Sequence, residues 1–424
     1  MSKILIKNAI IVTMDKKNTI INGDLLIDNS RISKIAEKIP TTNDVSKVID
    51  AKGNVIMPGL INCHTQVGKT LFRGHFDDFR NDDKKANTLK KYECKLTFDD
   101  IYVASMLSFV EMIKSGTTCF NDKYSEGQHT ARAANQVGIR GFVSYTIENG
   151  DEEYLNSSKY LFEYCNENTN RIKVSVAIPD ITKCTKDNIE KALTLSKMQN
   201  TIINADISET KDETRYMYDN KSQKAIDFYS DAGLFNSKTI LNHGTWLDEY
   251  DLSELKLHDT SIVNCPVSNS MQGSGIADIK FLMDSNVNIA LGSDSIEKSG
   301  TLDMFEEMKN AAYSQKLLYK DAEAIDSEEV LRMATINGAK ALGIDKEVGS
   351  IEVGKKADII IVDINKPHLV PVENIYNTLA YHATGADVIT SIIDGKIVML
   401  DRKIVNINET EVVKKAVEMA KRMS

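Results

Sequence analysis

Eight apolar, β-branched runs separated by helical stretches occupy the middle of the chain and leave few folds open to it. They are VIMPGLIN (55–62), TTCFND (117–122), FVSYTI (142–147), KVSVAI (173–178), TIINADI (201–207), TILNHG (239–244), SIVNCP (261–266) and VNIALGSD (287–294). Strands that alternate with helices form parallel sheets with helices packed on their faces, and eight such units are the number that closes into a (β/α)8 barrel of about 250 residues. The 424-residue length accommodates that barrel and one smaller unit.

The two ends have a different texture. Residues 3–37 and 357–405 hold short β-branched runs between Asn, Gly and Asp turn signals, and Asp394-Gly395 is a hairpin turn pair. Neither end can bury a sheet face alone, so residues 1–56 and 350–405 are expected to pair into one small composite β-sandwich beside a barrel over 57–349. The segment 99–116 has helical apolar spacing and stops at Gly116; 327–343 is predicted to be a helix capped by Ser327; and 406–424 contains an amphipathic packing helix.

Lys+Arg total 52 against Asp+Glu 61, a net charge of -9 without a basic cluster, which disfavours nucleic acid as a partner. Six scattered cysteines form no CxxC pair, so neither a disulfide framework nor a thiolate zinc site is indicated, and a reducing cytoplasm is the expected location. The start of the chain is too interrupted for a secretory signal, and no run reaches about 18 apolar residues, so no membrane partner is expected. Cys63 is predicted to be a buried small side chain, and the glycines of GSG (273–275) turn residues.

Nine blocks carry a more specific signal: VIMPGLINCHTQ (55–66), LFRGHFDD (71–78), EMIKSGTTCFNDKY (111–124), ISET (207–210), CPVSN (265–269), GSGIAD (273–278), IALGSD (289–294), ATINGAKALG (334–343) and GSIEVGKKADIIIVD (349–363). In this order they resemble the amidohydrolase superfamily, in particular its branch of methylthioadenosine/S-adenosylhomocysteine deaminases and triazine chlorohydrolases. The resemblance implies a distorted (β/α)8 barrel with a small terminal β-sandwich, a homodimer or higher homo-oligomer, and one divalent metal ion (zinc, iron or manganese) at the barrel mouth. It also implies hydrolysis of a cyclic amidine C–N bond in a small-molecule substrate.

The resemblance further implies site residues, and some positions depart from the family pattern. The first-strand HxH pair is His64-Thr65-Gln66, with Gln66 facing the same side as His64 two residues away. The fifth-strand His-x-x-Glu is Asp206-Ile207-Ser208-Glu209. The implied metal ligands are therefore His64, Gln66, Asp206 and Asp294, an oxygen-rich set that favours Mn²⁺ or Fe²⁺ over Zn²⁺. Glu209, His243 and Asp294 fall on catalytic positions: proton shuttle, polarising imidazole and general base. Without a cation, Asp206, Glu209 and Asp294 would repel one another, so a nearby Lys, Arg or protonated His would have to compensate.

The substrate wall departs further. Pro179 stands where the family has a substrate-binding His, and lysines replace two tryptophans within 80–95. Arg140, Tyr145 and Trp246 are the substrate-binding candidates. Lys84, Lys85, Lys90 and Lys91 are read as an exposed face, the alternative being recognition of an anionic substrate. Two functions follow. The first is a metal-dependent C–N hydrolase, deaminase or chlorohydrolase-like, of altered specificity; the second is a catalytically impaired relative serving as a ligand-binding or assembly module. A purely structural subunit is a third.

Overall fold

Gly59 divides the first apolar run between two sheets. Val55–Pro58 enters a sheet made by the chain ends, and Leu60–Thr65 begins the parallel strands. A Cβ on Gly59 would lie 2.1 Å from Thr118 Oγ1, so a side chain there would drive the neighbouring strand away. The computed structural model describes residues 3–79, 83–124, 126–146, 152–258 and 260–423, with the side chains at 83, 84, 86, 152–155 and 423 outside that description.

The parallel strands form two sheets. Leu60–Thr65, Thr117–Asp122, Arg140–Val143 and Ile172–Val174 make one, and Val176–Ala177, Ile203–Ile207, Thr239–His243, Ser261–Asn264 and Asn288–Leu291 the other. Instead of an uninterrupted ring of eight strands, the two sheets meet through the isolated bridges Thr65↔Asp294 and Thr146↔Ala177. The run 173–178 is split because its backbone changes partner: Ser175 N–H donates to Val143 O (2.9 Å) and Val176 N–H to Ile202 O (3.0 Å). The α/β content with parallel strands is as expected.

Both chain ends pair with each other in a single nine-stranded mixed sheet. Val55–Pro58 pairs antiparallel with Ile359–Val362, and that ladder makes the two halves continuous. An isoleucine-rich cluster including Ile6, Ile11, Ile27, Ile56, Ile361 and Ile392 is buried within it. Asp394 (φ 52°) and Gly395 (φ 72°) make the left-handed turn that joins Val388–Ile393 to Lys396–Leu400.

The helix Phe98–Lys114 opens with a reciprocal cap between Thr97 and Asp100, and Gly116 follows it at φ 90°. The segment 327–343 is instead two short helices, Ser327–Met333 and Ile336–Ala341, broken at Thr335. Its cap is Asp326, which accepts the Glu329 N–H at 2.8 Å, while the expected cap Ser327 donates to Asn377 Oδ1. The last helix, Glu409–Met423, is tied to Phe98–Lys114 by Lys114–Glu409 (2.7 Å) and Arg422–Asp100 (2.6 Å). Among the described residues no helix is long and apolar enough to cross a membrane.

Arg140 joins the parallel strands to the terminal sheet. It begins its strand, at the end away from the strand C-termini, and its buried guanidinium binds Asp358 through Nε (2.5 Å) and Nη2 (3.1 Å) and Asp394 at 3.3 Å. The expected substrate contact is thereby corrected: Arg140 is committed to a structural ion pair with Asp358, whose side chain is 2% exposed. Arg140→Met would leave a buried carboxylate without its cation and is expected to lower stability by about 3–5 kcal/mol in urea unfolding. Adding Asp358→Asn should restore part of that loss; an unchanged unfolding midpoint for Arg140→Met would refute the structural role.

Candidate active site

Strand periodicity and register bring the candidate residues to one end of the parallel strands. In Leu60–Thr65, Cys63 faces the helix Ile336–Ala341, where its thiol approaches Gly338 O (3.6 Å), and burial raises that thiol well above its ordinary range. Two-residue alternation leaves Asn62 and His64 facing inward. Asn62 exchanges hydrogen bonds with Ser293 (2.7 and 3.1 Å), and Gly292 makes room for His64, whose Cβ would lie 2.8 Å from any Cβ added there. The ladder that pairs Asp206 with Asn242 and Ile207 with His243 sets the next two strands level. His243 (φ 72°) and Asp294 (φ 56°) both adopt the left-handed backbone uncommon outside glycine, where their strands end.

Four groups converge. His64 Nε2 lies 3.4 Å from Asp294 Oδ1, and His243 Nε2 lies 3.7 Å from Glu209 Oε2. Lys298 bridges the two carboxylates, with Nζ 3.0 Å from Glu209 Oε1 and 3.1 Å from Asp294 Oδ2. Ser268 Oγ–H donates to Asp294 Oδ2 (2.8 Å), and His243 Nδ1–H donates to Asn269 Oδ1 (3.2 Å), which aims Nε2 at Glu209. The two imidazoles meet edge to face at 5.6 Å.

Asp206 has a separate partner. One of its oxygens forms an ion pair with Lys123, and the other accepts from Asn242 Nδ2 at 2.8 Å. Gln66 is half-buried at the start of the turn Val67–Phe72 and makes no side-chain cap. Trp246, 41% exposed, donates its indole N–H to Ser274 O (2.8 Å), with Lys211 5.9 Å over its ring. Tyr145 is half-buried against the core, and burial followed by Glu126 pushes its phenol up to about 12. Lys85, expected on an exposed face, is buried and donates to Gln272, whose amide donates to Lys298 O at 3.2 Å. Lys90 and Lys91 are exposed as expected, and the Lys84 side chain lies outside the described residues.

Burial and charge oppose each other at this mouth. Burial alone would raise the Asp294 carboxyl, but Lys298 and the two imidazoles outweigh it and hold the group well below the carboxylate range. Asp206 behaves likewise, with Lys123 the leading opposing influence. For Lys298, burial is overridden by Asp294 and Glu209, so it stays charged. Burial lowers His64, whereas for His243 the attraction of Glu209 and Asp294 exceeds burial and raises it. Three residues missed in the sequence, Lys123, Ser268 and Lys298, thus set the electrostatics. All three lie in or just beyond the blocks NDKY, CPVSN and IALGSD.

His64, His243 and Asp294 each offer one ligand atom within 4.8 Å of the others, a spacing that could hold a metal ion. His64 Nδ1 and Asp294 Oδ1 also lack hydrogen-bond partners. The charge and the remaining donors do not fit a resident divalent ion. Lys298 already binds the carboxylate such an ion would need, and both oxygens of Asp206 are engaged. The oxygen-rich ligand set expected from His64, Gln66, Asp206 and Asp294 is therefore not assembled, because Lys123 and Asn242 take Asp206.

Residues 55–398 match the family model for the amidohydrolase family. The chain is 38% identical over 427 residues to a 5-methylthioadenosine/S-adenosylhomocysteine deaminase of Thermoanaerobacter pseudethanolicus, covering 99% of each chain. It is 37% identical over 421 residues to a 5'-deoxyadenosine deaminase of Methanobrevibacter smithii, covering 97% of this chain and 96% of the other. A solved adenosine deaminase from Xanthomonas campestris with bound zinc superposes with a TM-score of 0.94 at 27% identity, over 99% of this chain and 98% of that one.

Beside the cluster, Asp122 is buried with Oδ1 accepting the Val67 N–H (2.9 Å) and Oδ2 unpartnered, and burial pushes its carboxyl up to about 7. Below pH ~4 both folded and unfolded chains carry its proton, so it contributes no pH slope. Between about 4 and 7 the unfolded chain has lost the proton and the folded chain keeps it, so stability falls as pH rises, by up to ~1.4 kcal/mol per unit. Asp122→Asn should abolish that component. Urea unfolding from pH 4 to 8 is expected to show the variant gaining on the wild type as pH rises; parallel curves would refute the assignment.

Proposed function

Because the chain belongs to the amidohydrolase family, we propose that it hydrolyses a C–N bond at an electron-poor ring carbon of a small cyclic amidine, as a deaminase or chlorohydrolase-like enzyme of altered specificity. The curated relatives are deaminases that match nearly end to end. The observation that carries the reading is the convergence of Glu209, His243 and Asp294 on one mouth. They are joined through Lys298 and the 3.7 Å approach of His243 to Glu209.

The groups divide the work by their geometry. His243, with Nδ1 anchored on Asn269, presents Nε2 to orient water against the ring carbon. Glu209 takes a proton from that water and delivers it to the adjacent ring nitrogen as the new C–O bond forms. Asp294 then helps move the second proton to the departing amine, so the C–N bond breaks and ammonia leaves. Lys298 touches both carboxylates and balances their charge as the proton shifts. The parallel strands are read as a distorted (β/α)8 barrel whose active centre sits at the strand C-termini, with 1–56 and 350–405 forming the attached β-domain.

Specificity is the altered feature. Lysines stand at the two tryptophan positions, where Lys85 is drawn into the Gln272–Lys298 network, and Pro179 offers no N–H or side-chain donor. Methylthioadenosine and S-adenosylhomocysteine are therefore expected to be deaminated very slowly or not at all. Ammonia release from either at ordinary enzyme rates would overturn the altered specificity. The function itself is tested by screening aminopurines, aminopyrimidines and amino- or chlorotriazines for ammonia or chloride release. With the substrate found, Glu209→Gln should lower kcat by about 10²–10⁴-fold with little change in KM. Full activity in that variant, or no turnover of any ring in the panel, would count against the proposal.

A further inference from the structure

We infer that Lys298 and Lys123 are tethered cations that neutralise this mouth from within the chain, in the place of a divalent ion, so that the folded protein holds no such ion tightly. The argument is geometric. Asp206 and Glu209, at the end of Ile203–Ile207, and Asp294, beyond Asn288–Leu291 with two strands between, bring three negative charges to one end of the same parallel sheet. Lys298 binds two of them at 3.0 and 3.1 Å, and Lys123, itself buried, binds the third.

Neither ammonium is a loose surface group. Lys298 lies four residues after Asp294 on the short helix Ile296–Ser299, whose backbone is pinned by Lys298 N–H to Ser295 O (3.0 Å) and by Gln272 Nε2 to Lys298 O (3.2 Å). Lys123 follows the strand Thr117–Asp122 and stands two residues after the inward-facing Asn121, whose side chain donates to Cys63 O at 2.9 Å. The same spacing places His64 two residues after Asn62, and Asp206 two after Asn204. Lys123 is therefore part of the inward-facing ring.

An ion could still reach His64, His243 and Oδ1 of Asp294, but it would share that carboxylate with an ammonium. Asp206 could supply no oxygen without releasing Lys123 or Asn242. A site whose one available carboxylate already binds an ammonium repels and undercoordinates a divalent ion, and so binds it weakly.

The test uses the full chain purified from medium supplied with zinc, manganese and iron. Metal content should be far below one ion per chain, and the melting temperature should not change on EDTA treatment. In Lys298→Met the carboxylates lose their cation, so the variant should melt lower and regain stability on titration with Zn²⁺ or Mn²⁺. Its apparent affinity should exceed that of the wild type by at least about tenfold. Lys298→Arg, which keeps the charge, should match the wild type in metal content and in its melting response to EDTA, Zn²⁺ and Mn²⁺. One tightly held ion per wild-type chain with a melting temperature that drops in EDTA would overturn the inference, as would identical ion responses in wild type and Lys298→Met. Should Lys298→Met fail to fold, the wild-type metal content and EDTA response decide. Turnover is read separately: a metal-free protein that hydrolyses nothing strikes the proposed function and leaves the charge assignment standing.

Discussion

Three carboxylates gathered at one end of the parallel strands must be neutralised before the fold can close over them. Isolated charges removed from water cost far more than the folding free energy of a domain can spare, so each needs a partner of opposite sign. Lys298 between Glu209 and Asp294, and Lys123 on Asp206, meet that need. Much of the local architecture then follows. Ser268 donates to the same oxygen of Asp294 that Lys298 contacts, Asn242 fixes the second oxygen of Asp206, and Asn269 turns His243 toward Glu209. Lys85 and Gln272 extend the same network outward, which is why a lysine of the helix Asp83–Glu93 is buried at all.

The opposite end of the strands is held by a second ion-pair cluster. Arg140, Asp358, Asp394 and Lys356 tie the parallel strands to the terminal sheet through contacts of 2.5 to 3.3 Å. Charge thus works at both ends of the same strands, with different consequences. At the sheet side every group has a fixed partner and the cluster acts as a clasp. At the mouth, Asp294 Oδ1 and His64 Nδ1 remain buried without hydrogen bonds, and His243 and Asp294 hold an uncommon backbone conformation. Unspent polar capacity and local strain at one end of a well-packed scaffold mark the end where chemistry is expected.

Much of the fold was legible because strand periodicity is a local property. The eight apolar runs all contain strands, and the Asp394-Gly395 turn needed only its two residues to be recognised. What was not legible depended on partners distant in sequence. Ser327 and Asp326 are both good caps, and the choice fell to Asp326 because Asn377 engages Ser327. The ring of strands is interrupted because Ser175 and Val176 donate to different neighbours, which no pattern within KVSVAI reveals. Arg140 was misassigned for a related reason: its position on a strand was evident, but which end of the strand it occupied was settled only by Asp358, more than two hundred residues away.

The candidate site divides in the same way. His64, His243, Glu209 and Asp294 could be named from motifs, whereas the lysines that govern them could not, since each lysine read singly is a solvated charge. A signal was nevertheless present. The pairs Asn62/His64, Asn121/Lys123 and Asn204/Asp206 repeat one spacing on three strands of the parallel set, an inward asparagine followed two residues later by an ionisable group. The asparagines bond with one another's strands below the mouth, as in Asn242 to Asn204 (2.7 Å) and Asn121 to Cys63 O (2.9 Å), and so fix the level at which the next inward side chain emerges. A lysine in that series sits at the height of the histidine on the adjoining strand and within reach of Asp206 across the mouth. Its charge must be counted with theirs, and the requirement for compensating cations that follows from three convergent carboxylates then has a definite residue to satisfy it.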